Sequence, residues 1–388
     1  MNYPISKLKD CCTIIAGQSP ESKYYNTAGE GMPFFQGKAD FGDLYPTIRV
    51  YCSQPTKIAE KDDILLSVRA PVGPTNLAPC QVCIGRGLTA IRPSSQLLTG
   101  YVLMFFRFFE AQLALKGTGT TFNAITQNVV KNLEIPIPPL NEQSRIVARI
   151  EELFSELDNS VSTLQKTKKQ LAVYRQAVLK EAFDSVKDVK NGTRIKDVCN
   201  DIKVGIVIKP TQYYVESGGV KAFRNANVRR NYVDDDNWAL ISKEGHEKNK
   251  KSIVHTDNLV IARSGANLGM AAVVPEKCDG FNAIDIVIAE LNLNAADPHY
   301  LAYYVNSPYG LHVVNEYQHG GAQGHLNVKE FGLLPLILAP LSEQKNIVSE
   351  IESRLSVCDS IEHTVDTALL QAEAMRQSIL KQAFEGRL

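Results

Sequence analysis

The sequence predicts an α+β protein in which two globular domains alternate with two long helices. A 45-residue segment that begins at Pro139 is repeated 201 residues later, from Pro340, without a gap and with 18 identical positions. Each copy places apolar residues at heptad spacing, and the segments between the copies show short strand-like runs with turn residues. We therefore expect globular domains at 1–138 and 187–339, helices at 139–186 and 340–388, and an internal pseudo-two-fold repeat.

The two globular domains share a plan although their sequences diverge. Both contain an apolar strand that ends in arginine, DILLSVR at 63–69 and DNLVIAR at 257–263. In both, an aromatic helix and then a glycine-rich polar loop follow, at 117–123 in the first domain and 319–327 in the second. Alternating strand patterns with frequent turn signals indicate two domains of the same α+β class.

The repeated segments predict long helices that start after prolines, with Asn141 and Ser342 as the candidate N-caps. A main heptad series and a weaker second series favour a coiled coil. The main series is Ile150, Leu157, Leu164, Leu171 and Val178, repeated as Ile351, Cys358, Val365, Ala372 and Ile379; the weaker one consists of Ile146, Leu153 and Tyr174 in the first copy and of Ile347, Ile361 and Met375 in the second. The second helix has small residues where the first has large ones, which predicts that the two pair with each other. Because a whole domain separates them, we expect an antiparallel pair.

Composition and missing motifs exclude several classes of function. Lys+Arg and Asp+Glu are equal at 42 each, no apolar run has the length of a signal peptide or membrane span, and eight scattered cysteines do not form a disulfide framework. No nucleotide-binding glycine loop or amino-methyltransferase motif is present. His312, His319 and His325 lack the spacing of a metal site, and Cys80 and Cys83 lack a second pair. We expect a cytoplasmic protein that holds no cofactor or metal itself.

The order of domains resembles that of the specificity subunit (HsdS) of type I restriction–modification systems. The resemblance covers essentially the whole chain, and its most specific parts are PLNEQ at 139–143, PLSEQ at 340–344 and the final LKQAFEGRL. It implies that each globular domain is a target recognition domain for one half of a split site in double-stranded DNA. It also implies that the helices set the half-site spacing and dock two methyltransferase (HsdM) subunits, which use S-adenosylmethionine. Restriction (HsdR) subunits would use ATP and Mg²⁺, and the chain itself would not be an enzyme.

Candidate DNA contacts are arginine, lysine and amide side chains at equivalent places in the two domains. Phosphates are bound by basic and small polar groups, whereas base edges are read by forked donors and amides. The candidates are Gln36, Lys38, Arg69, Thr120 and Asn123 in the first domain, and Lys221, Arg224, Asn225, Asn227, Arg229, Arg230, Lys250, Arg263, Ser264, Asn267, Gln323 and His325 in the second. The alternatives are solvated loops for the basic runs and a buried structural role for the strand-end arginines.

Candidate partner contacts are the polar residues that both helices repeat. They are Glu142, Gln143, Arg175 and Gln176 in the first helix, and Glu343, Gln344, Arg376 and Gln377 in the second. Two alternatives to the resemblance remain open from the sequence. One is the specificity module of a methylation-only or related bipartite system, and the other is a coiled-coil adaptor whose domains bind proteins.

Overall fold

The computed structural model describes residues 3–117, 124–186, 192–316 and 325–388. The chain forms two compact units, one of Met1–Leu164 with Asp366–Leu388 and one of Gln165–Val365. Each unit therefore contains one globular domain together with part of each long helix. The predicted mixture of helix and sheet is confirmed.

The elements of the first unit that precede the long helix are β1 Ile5–Lys7, α1 Leu8–Cys11, β2 Cys12–Ala16, β3 Tyr25–Asn26, β4 Met32–Phe35, β5 Tyr51–Cys52, β6 Ile58–Ala59, β7 Ile64–Ser67, β8 Thr75–Leu77, β9 Val82–Ile84, β10 Leu88–Pro93, α2 Thr99–Leu115, α3 Gln127–Lys131 and β11 Glu134–Pro136. They form a four-stranded antiparallel sheet in the order β2-β10-β7-β8 and a five-stranded mixed sheet in the order β3-β5-β4-β9-β6. In the mixed sheet, β4 and β9 run parallel. Strands β1 and β11 pair with each other, which ties the start of the domain to its end.

The second unit repeats this plan. After the long helix α4, Leu140–Asp184, come β12 Cys199–Val204, β13 Val220–Phe223, β14 Ala239–Ile241, α5 Lys243–Lys248, β15 Leu259–Ala262, β16 Ala271–Val273, β17 Asn282–Ala283, β18 Ile286–Leu291, α6 Pro298–Asn306, α7 Pro308–Glu316 and α8 Val328–Leu333. The long helix α9, Leu341–Phe384, follows them. The strands form a four-stranded antiparallel sheet in the order β12-β18-β15-β16 and a three-stranded sheet in the order β14-β13-β17, in which β13 and β17 are parallel.

Both long helices begin one residue earlier than their predicted caps. The carbonyl of Pro139 accepts hydrogen bonds from the backbone N–H groups of residues 142 and 143, at 2.9 and 3.0 Å, and Pro340 does the same for residues 343 and 344. Asn141 and Ser342 therefore lie inside the first turn, and the prediction that they are N-caps is wrong. The proline carbonyl accepts the first hydrogen bonds of the helix, and proline is tolerated here because a backbone N–H at this position would have no partner within the helix.

The two helices run antiparallel within each unit. In the first unit the guanidinium of Arg376, near the end of α9, lies 5.0 Å from the ring centre of Phe154, near the start of α4. In the second unit Arg175 of α4 pairs with Asp359 of α9, and Glu181, further along α4, pairs with Arg354, earlier in α9. The main heptad series of α9 is buried throughout. Three members of the weaker series are exposed, so the prediction is wrong for Tyr174, Ile361 and Met375.

The aromatic helices α2 and α6 lie in the cores of their units. Tyr101 and Tyr300 are both almost fully buried, and each donates a hydrogen bond to a backbone carbonyl in the strand or segment before the long helix, Pro136 at 3.1 Å and Ile337 at 2.8 Å. These equivalent bonds satisfy the buried phenol groups and fix the aromatic helix against the start of the long helix.

Candidate nucleic-acid interface

Several predicted DNA contacts of the second unit meet where β15 ends and β18 begins. The short turns Asn225–Asn227 and Gly265–Asn267 lie beside the end of β15. Asn225 is the central residue, because its Oδ1 accepts from the backbone N–H of Arg263 at 2.8 Å and of Ser264 at 3.3 Å. Its Nδ2 donates to the hydroxyl of Ser264 and to the carbonyl of Asp285, both at 3.0 Å. One amide thus joins three segments of the domain.

Asn227 and Asn267 are buried, with 1% and 8% of their surfaces exposed. Asn227 accepts from the backbone N–H of Arg224 and donates to the carbonyls of Asp234 and Asp236. Asn267 donates to two backbone carbonyls and accepts from the guanidinium of Arg229 at 3.1 Å. All of these groups are occupied within the domain, which argues against direct base contacts by the two amides. Their role in the structure is to hold the loop that follows residue 224.

The predicted arginines and lysines differ in how much of their charge is available. Arg229 forms an ion pair with Asp234 through Nε and Nη2, at 3.1 and 3.0 Å. Arg224 donates to the carbonyl of Asn237, and Lys250 pairs with Glu247 at 3.0 Å while most of its side chain is exposed. The remaining basic candidates are placed as follows: Arg230 is exposed, and the ammonium of Lys221 lies 5.5 Å from the ring centre of Trp238.

Asp285 is the member of this surface that the sequence analysis missed. Its Oδ2 accepts from the hydroxyl of Ser264 at 3.2 Å, and its Oδ1 lies 3.5 Å from Nη1 of Arg263 and 3.9 Å from Nε2 of His325. The available signal was a single charged residue inside the apolar run of residues 283–289. We refer to Asn225, Arg263, Ser264, Asp285 and His325 as the strand-end cluster.

The strand-end arginines of the two domains are not equivalent, contrary to the prediction. Leu88 pairs with Ser67 in the first unit, and Ile286 pairs with Ala262 in the second. Counting from these pairs, the equivalent of Arg263 is Val68, and Arg69 falls one position later. Because successive residues of an extended chain point to opposite sides, Arg69 is exposed whereas only 13% of the Arg263 side chain is.

In the first unit one of the two candidates near β4 lines a cleft beside the paired helices. Gln36 is exposed, and Lys38 lies on the wall of this cleft, which has a volume of about 800 Å³. Burial lowers the pKa of Arg107 and raises the pKa of Glu110 on the same wall. The second unit has a related cleft of about 580 Å³, lined by Arg230 among others. Thr120, Asn123 and Gln323 lie outside the described residues.

Two of the predicted partner contacts are buried in their own units. Gln143 and Gln344 have no exposed surface, which argues against direct contact with another chain. The side-chain oxygen of each accepts from a backbone N–H just before the aromatic helix, at 2.8 Å, and each side-chain nitrogen donates to two carbonyls. The acceptor carbonyls are those of Gln96 and Pro138 for Gln143, and of Ala295 and Ala339 for Gln344.

The other repeated polar residues are more accessible. Arg175 binds Asp359 at 2.6 Å and Glu362 at 2.9 Å, and Arg376 pairs with Asp158. Both arginines therefore contribute to the pairing of the helices. The remaining residues of the set, partly or fully exposed, are Glu142, Gln176, Glu343 and Gln377.

Glu142 forms an ion pair and a further hydrogen bond at the start of α4. Its carboxylate accepts from the guanidinium of Arg145 at 2.7 and 2.8 Å and from the hydroxyl of Tyr3 at 3.1 Å. The adjacent guanidinium lowers the pKa of Glu142 from 4.5 to about 2. The ionised side chain thus links the start of α4 to the first residues of the domain.

Within the described residues, no group of three or more His, Cys, Asp or Glu side chains is arranged to hold a metal ion. None of the helices in the described part of the chain combines the length and apolar character needed to cross a bilayer.

Comparison with known proteins decides the family. A family profile described as the type I restriction modification DNA specificity domain matches residues 2–171 and again residues 188–371. The chain belongs to this family. Each of the two matched segments covers one globular domain and much of the long helix that follows it, in agreement with the internal repeat.

Similar members of the type I specificity family include two curated proteins. The EcoKI type I restriction enzyme specificity subunit of Escherichia coli K12 is 24% identical over 377 residues, covering 91% of this chain and 80% of the relative. A protein of Methanocaldococcus jannaschii named for the MjaX specificity subunit is 38% identical over 167 residues. That alignment covers 43% of this chain and spans 38% of the relative's length.

Two solved structures are also similar to this chain. The HsdS subunit from Thermoanaerobacter tengcongensis is 47% identical, covers 40% of this chain and 38% of its own, and has a TM-score of 0.37. The S subunit of a type I restriction–modification system from M. genitalium is 14% identical, covers 99% and 96% of the two chains, and has a TM-score of 0.39.

Proposed function

We propose that the chain is the non-catalytic DNA-specificity subunit of a type I restriction–modification complex, in which each globular domain reads one half of a bipartite site. The observation that carries this proposal is a shared internal framework with different residues at the strand ends. Both domains have the buried glutamine bonds and the aromatic helix, yet equivalent positions just after β7 and β15 differ. Val68 stands where the second domain has Arg263, and Arg69 where it has Ser264. Such a pair suits a site whose halves differ in sequence.

The paired helices would set the spacing between the half-sites. Two readers joined by a stiff connection impose a fixed separation on their target, as the two halves of dimeric DNA-binding proteins do. The support for stiffness is the length of the helices, 45 residues for α4 and 44 for α9, and the burial of the main heptad series of α9.

The outer faces of the helices are the proposed docking surface for two methyltransferase subunits. Large apolar side chains on these helices are exposed at Val173, Val357, Leu370 and Met375, by 70%, 58%, 76% and 54%. We take these side chains as the candidate contacts with the methyltransferase subunits. The proposed methyltransferase subunits would bring S-adenosylmethionine, and restriction subunits would use ATP and Mg²⁺.

Selection of bound duplexes from a randomised DNA library tests the proposed function. The chain, purified with its methyltransferase subunits, should enrich two short sequences separated by a constant spacer. Enrichment of a single sequence, or of none, would contradict the proposal. Loss of DNA binding together with retained binding of other proteins would favour an adaptor instead.

A further inference from the structure

The strand-end cluster contains a buried donor without an acceptor. Among the described residues, the buried side-chain nitrogen and oxygen atoms that lack a hydrogen-bond partner are Thr75 Oγ1, Arg224 Nε and Arg263 Nε. Two of the three belong to arginines of the second unit's candidate DNA surface. Unsatisfied buried donors are rare because they cost free energy, and they point to a site that something else completes.

Asp285 has an unusual backbone conformation at the centre of this cluster. Its φ of 51° lies in the left-handed region, and its two neighbours, Ile284 and Ile286, are buried. A residue other than glycine is uncommon there, and its persistence indicates that the surrounding structure holds it in place. The buried neighbours fix the backbone of Asp285, so the direction in which its side chain leaves the sheet is fixed too.

The carboxylate of Asp285 is fixed by its neighbours but can still accept further hydrogen bonds. Ser264 donates to Oδ2, Arg263 lies beside Oδ1, and 35% of the side chain remains exposed. An ionised carboxylate accepts hydrogen bonds only and has about four acceptor sites. The contacts described here therefore leave acceptor capacity on its exposed side.

The first unit lacks this carboxylate. Counting back one residue from the equivalent strand positions Leu88 and Ile286 places Gly87 at the position of Asp285. A side chain on Gly87 would meet the carbonyl oxygen of Gln36, 2.3 Å from its Cβ. The acidic group is therefore a feature of one domain and not of the common frame.

We propose that Asp285 is a specificity-determining residue of the second recognition domain, where it accepts a hydrogen bond from the exocyclic amino group of one base, cytosine N4 or adenine N6. This inference rests on the proposed function. A carboxylate is repelled by phosphates but matches an amino group in the major groove, where acidic side chains accept from cytosine N4. Arg263 offsets its charge near the DNA backbone, and Ser264 orients it.

Substitution of Asp285 by asparagine tests this inference, because asparagine has the same shape and tolerates left-handed backbone. The variant, purified with its methyltransferase subunits, is used to select duplexes from the randomised library. We expect the preference for one base of the second half-site to fall by roughly 5- to 100-fold, with the first half-site unchanged. Asp236→Asn is the matched control, since this exposed residue of the same domain lies outside the cluster.

Two outcomes would overturn the inference. One is an unchanged base preference in a folded Asp285→Asn variant, and the other is a uniform loss at both half-sites. If the Asp285→Asn variant has a lowered melting temperature, Ser264→Ala is tested in its place. It removes the hydrogen bond that orients the carboxylate of Asp285, so it should weaken the same base preference. An unchanged preference in that variant would also overturn the inference. A wild-type complex that selects no half-sites would overturn the proposed function, and this inference with it.

Discussion

Gln143 and Gln344 show how one residue of a repeated motif can serve the frame of the protein. Each uses both ends of its amide to join the first turn of a long helix to the loop before the aromatic helix. The sequence predicted contact with a partner because the residue is polar and repeated. Repetition alone could not distinguish the two roles, since a common internal frame and a common external partner both require the same residue twice.

Replacing Gln143 by leucine should destabilise the first unit by about 2–3 kcal/mol, because it leaves one backbone N–H and two carbonyls without their partners inside the unit. The measurement is the midpoint of urea or thermal unfolding of the purified chain. Gln377→Leu is the control, because the same substitution at an exposed position of a long helix should leave the midpoint nearly unchanged. Equal effects of the two changes would contradict the assigned role of Gln143.

Glu142 should make the first unit sensitive to acid. Its folded pKa, about 2, is below the ordinary value of 4.5, so its contribution to stability is complete above 4.5 and is lost as the pH falls towards 2. We expect Glu142→Gln to lower the melting temperature at pH 7 and to have a shrinking effect between pH 4.5 and pH 2. A melting-temperature difference that does not change over this range would show that the ionised carboxylate is not responsible. Glu151→Gln on the exposed face of α4 is the control.

Residue-level predictions of DNA contact were limited by the versatility of asparagine. Asn225, Asn227 and Asn267 attracted attention because amides can read adenine, but the same donor and acceptor pair also fits backbone groups in a turn. The partners of Asn227 lie within nine residues of it. For Asn225 and Asn267 the outcome depends on residues 38 or more positions away, such as Asn267 with the carbonyl of Asn225. Local sequence does not contain that information. DNA contact by the exposed candidates stays a prediction.

At the scale of single elements, the long helices were the most predictable part of the protein. Heptad spacing over many turns leaves little choice but a long helix with one apolar stripe. The weaker series failed at Tyr174, Ile361 and Met375, since a two-helix pair buries a narrow stripe and leaves residues beside it in solvent. Arg354, whose guanidinium lies 5.7 Å from the ring centre of Tyr174, gives that exposed ring a polar neighbour.

Matched deletions test whether the helices act as a spacer. Removing residues 162–168 from α4 and residues 363–369 from α9 deletes one heptad from each and shortens both by about 10 Å. The preferred spacer between half-sites should then shrink by about 3 base pairs, at 3.4 Å per base pair. Selection from a randomised library gives the spacer length directly.

Deletion from one helix alone is the control for the spacer experiment. It leaves the two stripes of unequal length, so we expect reduced folding or assembly, measured as a lower melting temperature or loss of co-purified subunits. An unchanged spacer after the matched deletion would contradict the proposal that the helices set the spacing.

At the scale of the whole molecule, the alternation of domains and helices was predictable because it follows from one internal repeat. The sheets within the domains were not. The parallel pairing of β4 with β9, and of β13 with β17, joins strands about 50 to 60 residues apart. Strand patterns in a sequence indicate which face is buried but not which distant strand is the neighbour.

The balance of charge predicts weak DNA binding by the isolated chain. Lys+Arg and Asp+Glu are equal at 42 each, and several candidate cations are already paired within the protein. Each phosphate contact contributes about −0.9 to the slope of log K against log salt. We expect a shallower slope for the chain alone than for its complex with methyltransferase subunits, measured by fluorescence anisotropy over a salt series. Equal slopes would show that this chain provides all of the phosphate contacts.

The one-residue offset between Arg69 and Arg263 has an evolutionary consequence. Inserting or removing a single residue at the end of such a strand exchanges an inward side chain for an outward one while the strand itself keeps its pairing. A recognition surface built at strand ends can therefore acquire a new pattern of chemical groups through a change in loop length, without any substitution in the sheet. Small insertions and deletions at these junctions are a route by which related chains could diverge in the DNA they select.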